Sequence, residues 1–339
     1  MSKHPILLDL EDILINPLIA VRDIHFVSSV TVAGIVFFDL FIASPVSRMG
    51  DFRLGATMAV FRKRTARIFW IGLALSILSA FAWLCLLSAR IAGKPFDEVI
   101  ADGTVWIVLS RTEFGFAWEL RFLFGIALAA CLLMRRATHK GGAVWQEILA
   151  ALLAGGYLGL LAFAGHGEEG LGFDRNVHLV ADFLHLVAAG LWLGDLIPLA
   201  LLLLYLRRFR EESWISAARA VAGRFSNLAT LAVGILLISG TINASFLVGG
   251  IQSLTDTGYG RLLLLKITLF AAMVCLAGIN RQYLLPRLCG DGGIDPGPQT
   301  VQRLVRSTLA EIGFGLGIIL IVGTLGIMAP ATDMAAHVH

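Results

Sequence analysis

Charge is scarce in this chain: Asp, Glu, Lys and Arg make up 15% of 339 residues, against 57% hydrophobic residues. So little charge excludes an ordinary soluble domain, and a formal net charge of +3 leaves no basic excess for a nucleic-acid partner. Also missing are a phosphate-binding GxxxxGK[ST] loop, a GxGxxG turn before a helix, and a Ser–His–Asp arrangement. An ATP-driven pump and a hydrolase are thereby disfavoured, and nothing marks the chain as an enzyme. Only four cysteines occur; Cys85, Cys131 and Cys275 fall in apolar stretches and Cys289 in a basic connection. A disulfide framework and an external thiolate metal site are both disfavoured. The first residues, MSKHPILLDLEDILINP, carry acidic side chains and lack the basic, apolar, small-residue order of a cleaved signal peptide. The first apolar segment is expected to stay in the mature protein.

What the chain has in quantity is long apolar runs. Windows of about 20 residues, the length a helix needs to cross the hydrocarbon core, give eight spans. They fall near 18–43, 67–90, 114–134, 144–165, 177–206, 225–248, 259–284 and 304–329. Continuous apolar character with internal Gly and Ala predicts helices, since backbone in lipid must satisfy its own hydrogen bonds; a barrel would show alternating strands. The expected fold is an all-α polytopic bundle surrounded by membrane lipid. Without an internal repeat or low-complexity linker, residues 1–339 read as one transmembrane domain.

Basic residues concentrate in alternate connections: Arg48 to Arg67, Arg135 to Lys140, Arg207 to Arg224, and Arg281 to Arg306. The other connections hold half as many, and GHGEEGLGFDRN is net acidic. The positive-inside rule puts the basic loops in the cytoplasm and both termini in the periplasm. On that map seven of the eight histidines fall at or beyond the outer ends of spans: His4, His25, His166, His178, His185, His337 and His339. Only His139 lies inside.

The fifth span opens HLVADFLHLVAAGLWLGDL, placing His178, Asp182 and His185 at i, i+4 and i+7. At about 100° per residue they share one helix face, spread over roughly 10 Å of its length. His25 sits a comparable depth into the first span and His166 closes the fourth, so three helices can present imidazoles to one outward pocket. Imidazole with carboxylate suits late first-row divalent ions, copper foremost on affinity, and Met328 and Met334 before His337 and His339 would add thioether for Cu(I). Single interfacial histidines usually do no more than hydrogen-bond, and His4, His337 and His339 are read that way. His25, His178 and His185 are deep enough for desolvation to need compensation. Asp182 has two readings, as a ligand or as a residue orienting a ligand's ring N–H. Asp39 and Asp195 are candidates for an inward route, with structural pairing to Arg or Lys as the simpler reading; Lys266 and Glu311 are further polar groups within spans. Met273 reads as packing.

Several stretches in order resemble the copper-resistance membrane protein D family (CopD): VRDIHFVSSVTVAG, AGHG, HLVADFLHLVAAGLWLGDL, RFSNLATLAVGILLISGTINA, YGRLLLLKITLFAAMVCLAGINR and a last span from TLAEIGFG. The resemblance implies an eight-helix inner-membrane protein that handles copper, with a periplasmic CopC-like copper-binding protein as partner. It matches His25, His166 and His185 to the family's histidines, with His178 and Asp182 in the pattern around them. Asp195 departs from it, standing where the family commonly has a second glycine. The reading is copper transport and resistance through an outward His/Asp site, in the direction of uptake because the ligands load from outside. The alternative is a membrane b-type cytochrome with His25 and His185 as axial haem ligands. Against it, no intramembrane histidine lies towards the other face for a second cofactor.

Overall fold

A computed structural model describes residues 16–48, 52–137, 144–164, 173–207, 212–248, 250–289 and 298–329. Expectations for His4, His139, His166, Met334, His337 and His339 lie outside the described residues. Among those described there is no strand, and eight helices are long and apolar enough to cross a membrane. These are α1 (Pro17–Ser47), α2 (Phe52–Ala92), α5 (Glu113–Ala137), α6 (Val144–Ala164), α7 (Phe173–Leu206), α8 (Glu212–Val248), α10 (Gly258–Leu288) and α11 (Pro298–Leu325). Three short helices lie between spans: α3 (Phe96–Ala101), α4 (Thr104–Arg111) and α9 (Ile251–Asp256). The protein is an all-α, multi-pass membrane protein.

α2, α8 and α11 begin well before their hydrophobic windows, because an apolar window sees only the hydrocarbon crossing. Arg and Lys are good helix formers whose stems lie along apolar surface, so the helix continues through the basic stretch. The arginine-rich ends gather at one end of the bundle, the basic end. There Asp39 pairs with Arg62 at 3.6 Å and Arg135 at 3.0 Å, and Glu147 with Arg48 at 3.2 Å and Arg135 at 3.5 Å. Asp39 is therefore structurally paired, the simpler of its two readings.

α1 is the axis of the bundle: 78% of its most apolar window is buried, against 11% for the peripheral α10. It packs on α2, α6, α7 and α11. Its crossing with α7 is a backbone contact, because a Cβ at Gly194 would stand 2.5 Å from the Val30 carbonyl oxygen and 2.8 Å from Gly34 Cα. Only glycine permits this approach. At the same point α7 carries a π-helical turn, Gly190–Gly194, followed by Asp195 and by Pro198, which has no N–H for the Gly194 carbonyl. Two more π-turns interrupt spans, Asp39–Ala43 in α1 and Asn280–Leu284 in α10. Such wide turns inside helices are frequent at functional sites. One core cluster joins α1 to α2, α5 and α6; another joins α1 to α7, α8, α10 and α11.

Candidate functional site

Away from the basic end, α7, α8, α10 and α11 enclose a cavity of about 500 Å³, closed on one side by α1 and α6. Its wall is mostly aliphatic and aromatic, and its polar side chains include His178, Asp182, His185, Asn243, Lys266 and Arg22. Three of the five predicted site residues thus reach one pocket, as their shared helix face requires.

Each is held by a neighbour on α8. His178 stacks on Phe246, ring centroids 4.9 Å apart and planes 14° from parallel. The Asp182 carboxylate accepts from Asn243 Nδ2 at 3.1 Å. His185 Nδ1 lies 3.0 Å from Ser239 Oγ, whose single proton goes to the Ile235 carbonyl at 2.6 Å. The serine therefore accepts from His185, fixing the Nδ1–H tautomer and leaving Nε2 as the nitrogen with a lone pair. Gly240, the next residue, makes room for the ring, since a Cβ there would be 3.4 Å from His185 Cε1. The donors form a ladder along α7. Among the described residues no three His, Cys, Asp or Glu converge closely enough to hold a metal ion at one point.

His25 lies elsewhere. It is fully buried among α1, α2 and α5, and both ring nitrogens are engaged. Nδ1 is 3.0 Å from both the Ser76 carbonyl and Ser79 Oγ, and Nε2 accepts from Arg121 at 2.8 Å. Arg121 also donates to Ser29 Oγ at 3.2 Å and to the Tyr157 carbonyl, and its guanidinium lies over the Tyr157 ring at 4.6 Å. Trp83 and Trp118 flank the imidazole with centroids 5.6 and 5.2 Å away. His25 and His185 consequently do not face each other across one cavity, as a haem held between them requires.

Sequence reasoning missed Asn243, Ser239 and Arg121. An uncompensated Asn within the apolar run ISGTINASF is a signal for the first, because a polar side chain within a span needs a partner. Arg22 and Asp23 are placed by glycines in and just after α11: a Cβ at Gly326 would meet the Arg22 guanidinium, and one at Gly323 the Asp23 carboxylate. Asp195 is wholly buried, with neither carboxylate oxygen in a hydrogen bond, so the structural pairing that holds Asp39 does not extend to it.

A bundle of eight spanning helices, with a pocket among four of them lined by His178, Asp182 and His185, defines a polytopic helical membrane protein with a polar pocket inside its apolar bundle. Two family models cover most of the chain: Copper resistance protein D-like, N-terminal domain, matches residues 11–176, and Copper resistance protein D matches residues 219–325. The chain belongs to the copper resistance protein D family. Among its relatives are Copper resistance protein D of Pseudomonas syringae pv. tomato, 28% identical over 93% of this chain and 97% of that one, and Inner membrane protein YebZ of Escherichia coli K12, 28% identical over 92% and 98%. Copper transport protein CutJ of Bacillus subtilis 168 is 29% identical over 76% of this chain and 44% of its own length. No solved structure matches the chain. The protein is accordingly a multi-pass bacterial inner-membrane protein with a copper-related membrane function.

Proposed function

We propose that the protein moves copper ions into the membrane from the periplasmic side, the first step of uptake, with the cavity at His178, Asp182 and His185 as the loading site. The observation that carries this reading is the ladder itself. Three donors follow one another along α7 inside one pocket, and the Ser239 contact leaves His185 Nε2 free of a proton. Donors strung along a path suit hand-over of a passing ion; a resident metal calls for ligands closed around one point. The arginine-rich end faces the cytoplasm by the positive-inside rule, which sets both termini and the pocket on the periplasmic side. A periplasmic CopC-like copper-binding protein delivers the ion there. His166, seven residues before α7 in the sequence, is proposed as a further ligand.

Within this reading His25 is a structural residue of the Arg121 network and lies off the path. Lys266 is the pocket's own counter-charge to Asp182, which an arriving cation replaces. Proteoliposomes containing an internal copper chelator test the proposal. Copper accumulation should be protein-dependent and should fall at least tenfold in Asp182→Asn and His185→Ala. Accumulation equal in empty liposomes, or unaffected by both substitutions, overturns it.

A further inference from the structure

The four helices around the loading pocket line a second cavity below it. The first is lined by residues 178–193 of α7, 236–247 of α8, 259–270 of α10 and 318–325 of α11 with Gly326 just after it. The second, of about 200 Å³, is lined by 199–203 of α7, 222–233 of α8, 274–285 of α10 and 304–311 of α11. On every helix the second set lies nearer the basic end, so the cavities are stacked. Trp192, Leu196 and Met273 fill the layer between them and are wholly buried.

The lower cavity holds an excess of hydrogen-bond acceptors. Glu311, 1% exposed, accepts from Asn280 Nδ2 at 2.8 Å through Oε1, while its Oε2 has no donor. Asn280 Oδ1 also lacks a donor. The amide cannot be turned to relieve this, because the carboxylate requires the NH₂ side. Thr308 spends its proton on the Leu304 carbonyl at 2.9 Å and has only lone pairs left to offer. One layer up, Asp195 adds two more unmatched oxygens. Arg281 also lines the cavity, but its Nη1 is engaged by Ser226, Asn227 and Thr230 at 2.9 to 3.2 Å. α8 lines the cavity with Ser226 and Thr230 and no charge; from α7, Trp192 Nε1 comes near Glu311 without closing a hydrogen bond. The upper pocket repeats the pattern, since Asn243 Nδ2 donates to Asp182 while Asn243 Oδ1 has no donor.

Buried acceptors without donors are costly, and a positive charge among them removes the cost. In the lower cavity the free acceptors are all oxygen, with no imidazole or sulfur. Such a set suits a proton or a hard monovalent ion and not copper, which prefers nitrogen and sulfur. We infer that Glu311 and Asn280 form a second cation position, distinct from the copper pocket, that takes a proton or a sodium ion. Its place in transport, as the position of a driving ion, rests on the uptake reading above; the binding itself does not.

The test uses purified full-length protein without copper, as wild type, Glu311→Gln and Asn280→Ala, in sodium or choline chloride of equal ionic strength. Infrared spectra across pH report protonated carboxyl groups, and thermal unfolding reports ion binding. A carboxyl band that Glu311→Gln removes, and that titrates alike in both salts, identifies a proton. A rise in unfolding midpoint with sodium but not choline, present in wild type and lost in Glu311→Gln, identifies sodium; Asn280→Ala should weaken either response at least threefold. Neither a Glu311 carboxyl band nor a sodium-specific shift overturns the inference. After copper is added to the same proteins, its stoichiometry should be equal in wild type and Glu311→Gln, and its loss in the variant would show one site instead of two. Wild type that binds no copper sinks the uptake reading alone.

Discussion

Replacing His25 by alanine separates structure from copper handling, because the residue's whole environment is accounted for. The substitution removes the acceptor of a charge-assisted bond from Arg121, worth about 1.5–3 kcal/mol, and the Nδ1 contact to Ser76 and Ser79, worth about 1 kcal/mol. It also opens a hole between Trp83 and Trp118 in a fully buried position, where large-to-small changes cost on the order of 2–5 kcal/mol. These losses overlap, since they share the same partners, and a total of about 3–5 kcal/mol is expected. That is a large part of the stability of a typical protein. Membrane abundance and thermal unfolding in detergent should both fall sharply in His25→Ala. Copper bound per folded molecule should stay at the wild-type value. His25→Gln, whose amide can both donate and accept, should recover part of the lost stability. A His25→Ala protein that folds as well as wild type and has lost its copper would refute the reasoning and return His25 to the metal site.

Lys266→Leu removes a like charge from the pocket without adding a ligand; taking a separation of roughly 8 Å and an effective dielectric of about 20, the relief is about 2 kcal/mol, so copper should bind about 30-fold more tightly by competition with a chelator. Gly34→Ala drives a methyl into the Gly194 backbone and should cost at least about 1–3 kcal/mol by thermal unfolding, whereas Gly234→Ala, whose added Cβ meets nothing within 4 Å, should be neutral or slightly stabilising. Reporter fusions at the C-terminus and in the connection between α7 and α8 should report opposite sides of the membrane, the C-terminal one periplasmic.

The helices and the shared face of His178, Asp182 and His185 were legible in the sequence because both follow from local periodicity. The 20-residue apolar window finds each span, and 100° per residue aligns the three side chains. Depth was legible for His25, but its neighbours were not. Whether a buried imidazole faces a pocket or an arginine depends on which helices pack together, and Arg121 is 96 residues away in the chain. Asp39 and Asp195 show the same limit, since both are acids in spans and only packing gave Arg62 and Arg135 to the first. The π-turns escaped detection for a different reason. A one-residue widening leaves hydropathy unchanged, and only the pair Gly190 and Gly194 ahead of Pro198 hinted at one of them.

The central claim is that copper binds in the pocket that α7 forms with α8, α10 and α11. Copper bound per folded molecule, measured by elemental analysis on protein purified at equal copper exposure, tests it directly in wild type, His185→Ala, Asp182→Asn and the double variant. Wild type should retain copper, each single variant should lose most of it while remaining folded, and the double variant should lose no more than the worse single one, since both act on one site. Unchanged stoichiometry in His185→Ala and Asp182→Asn together would place the copper elsewhere and contradict the account.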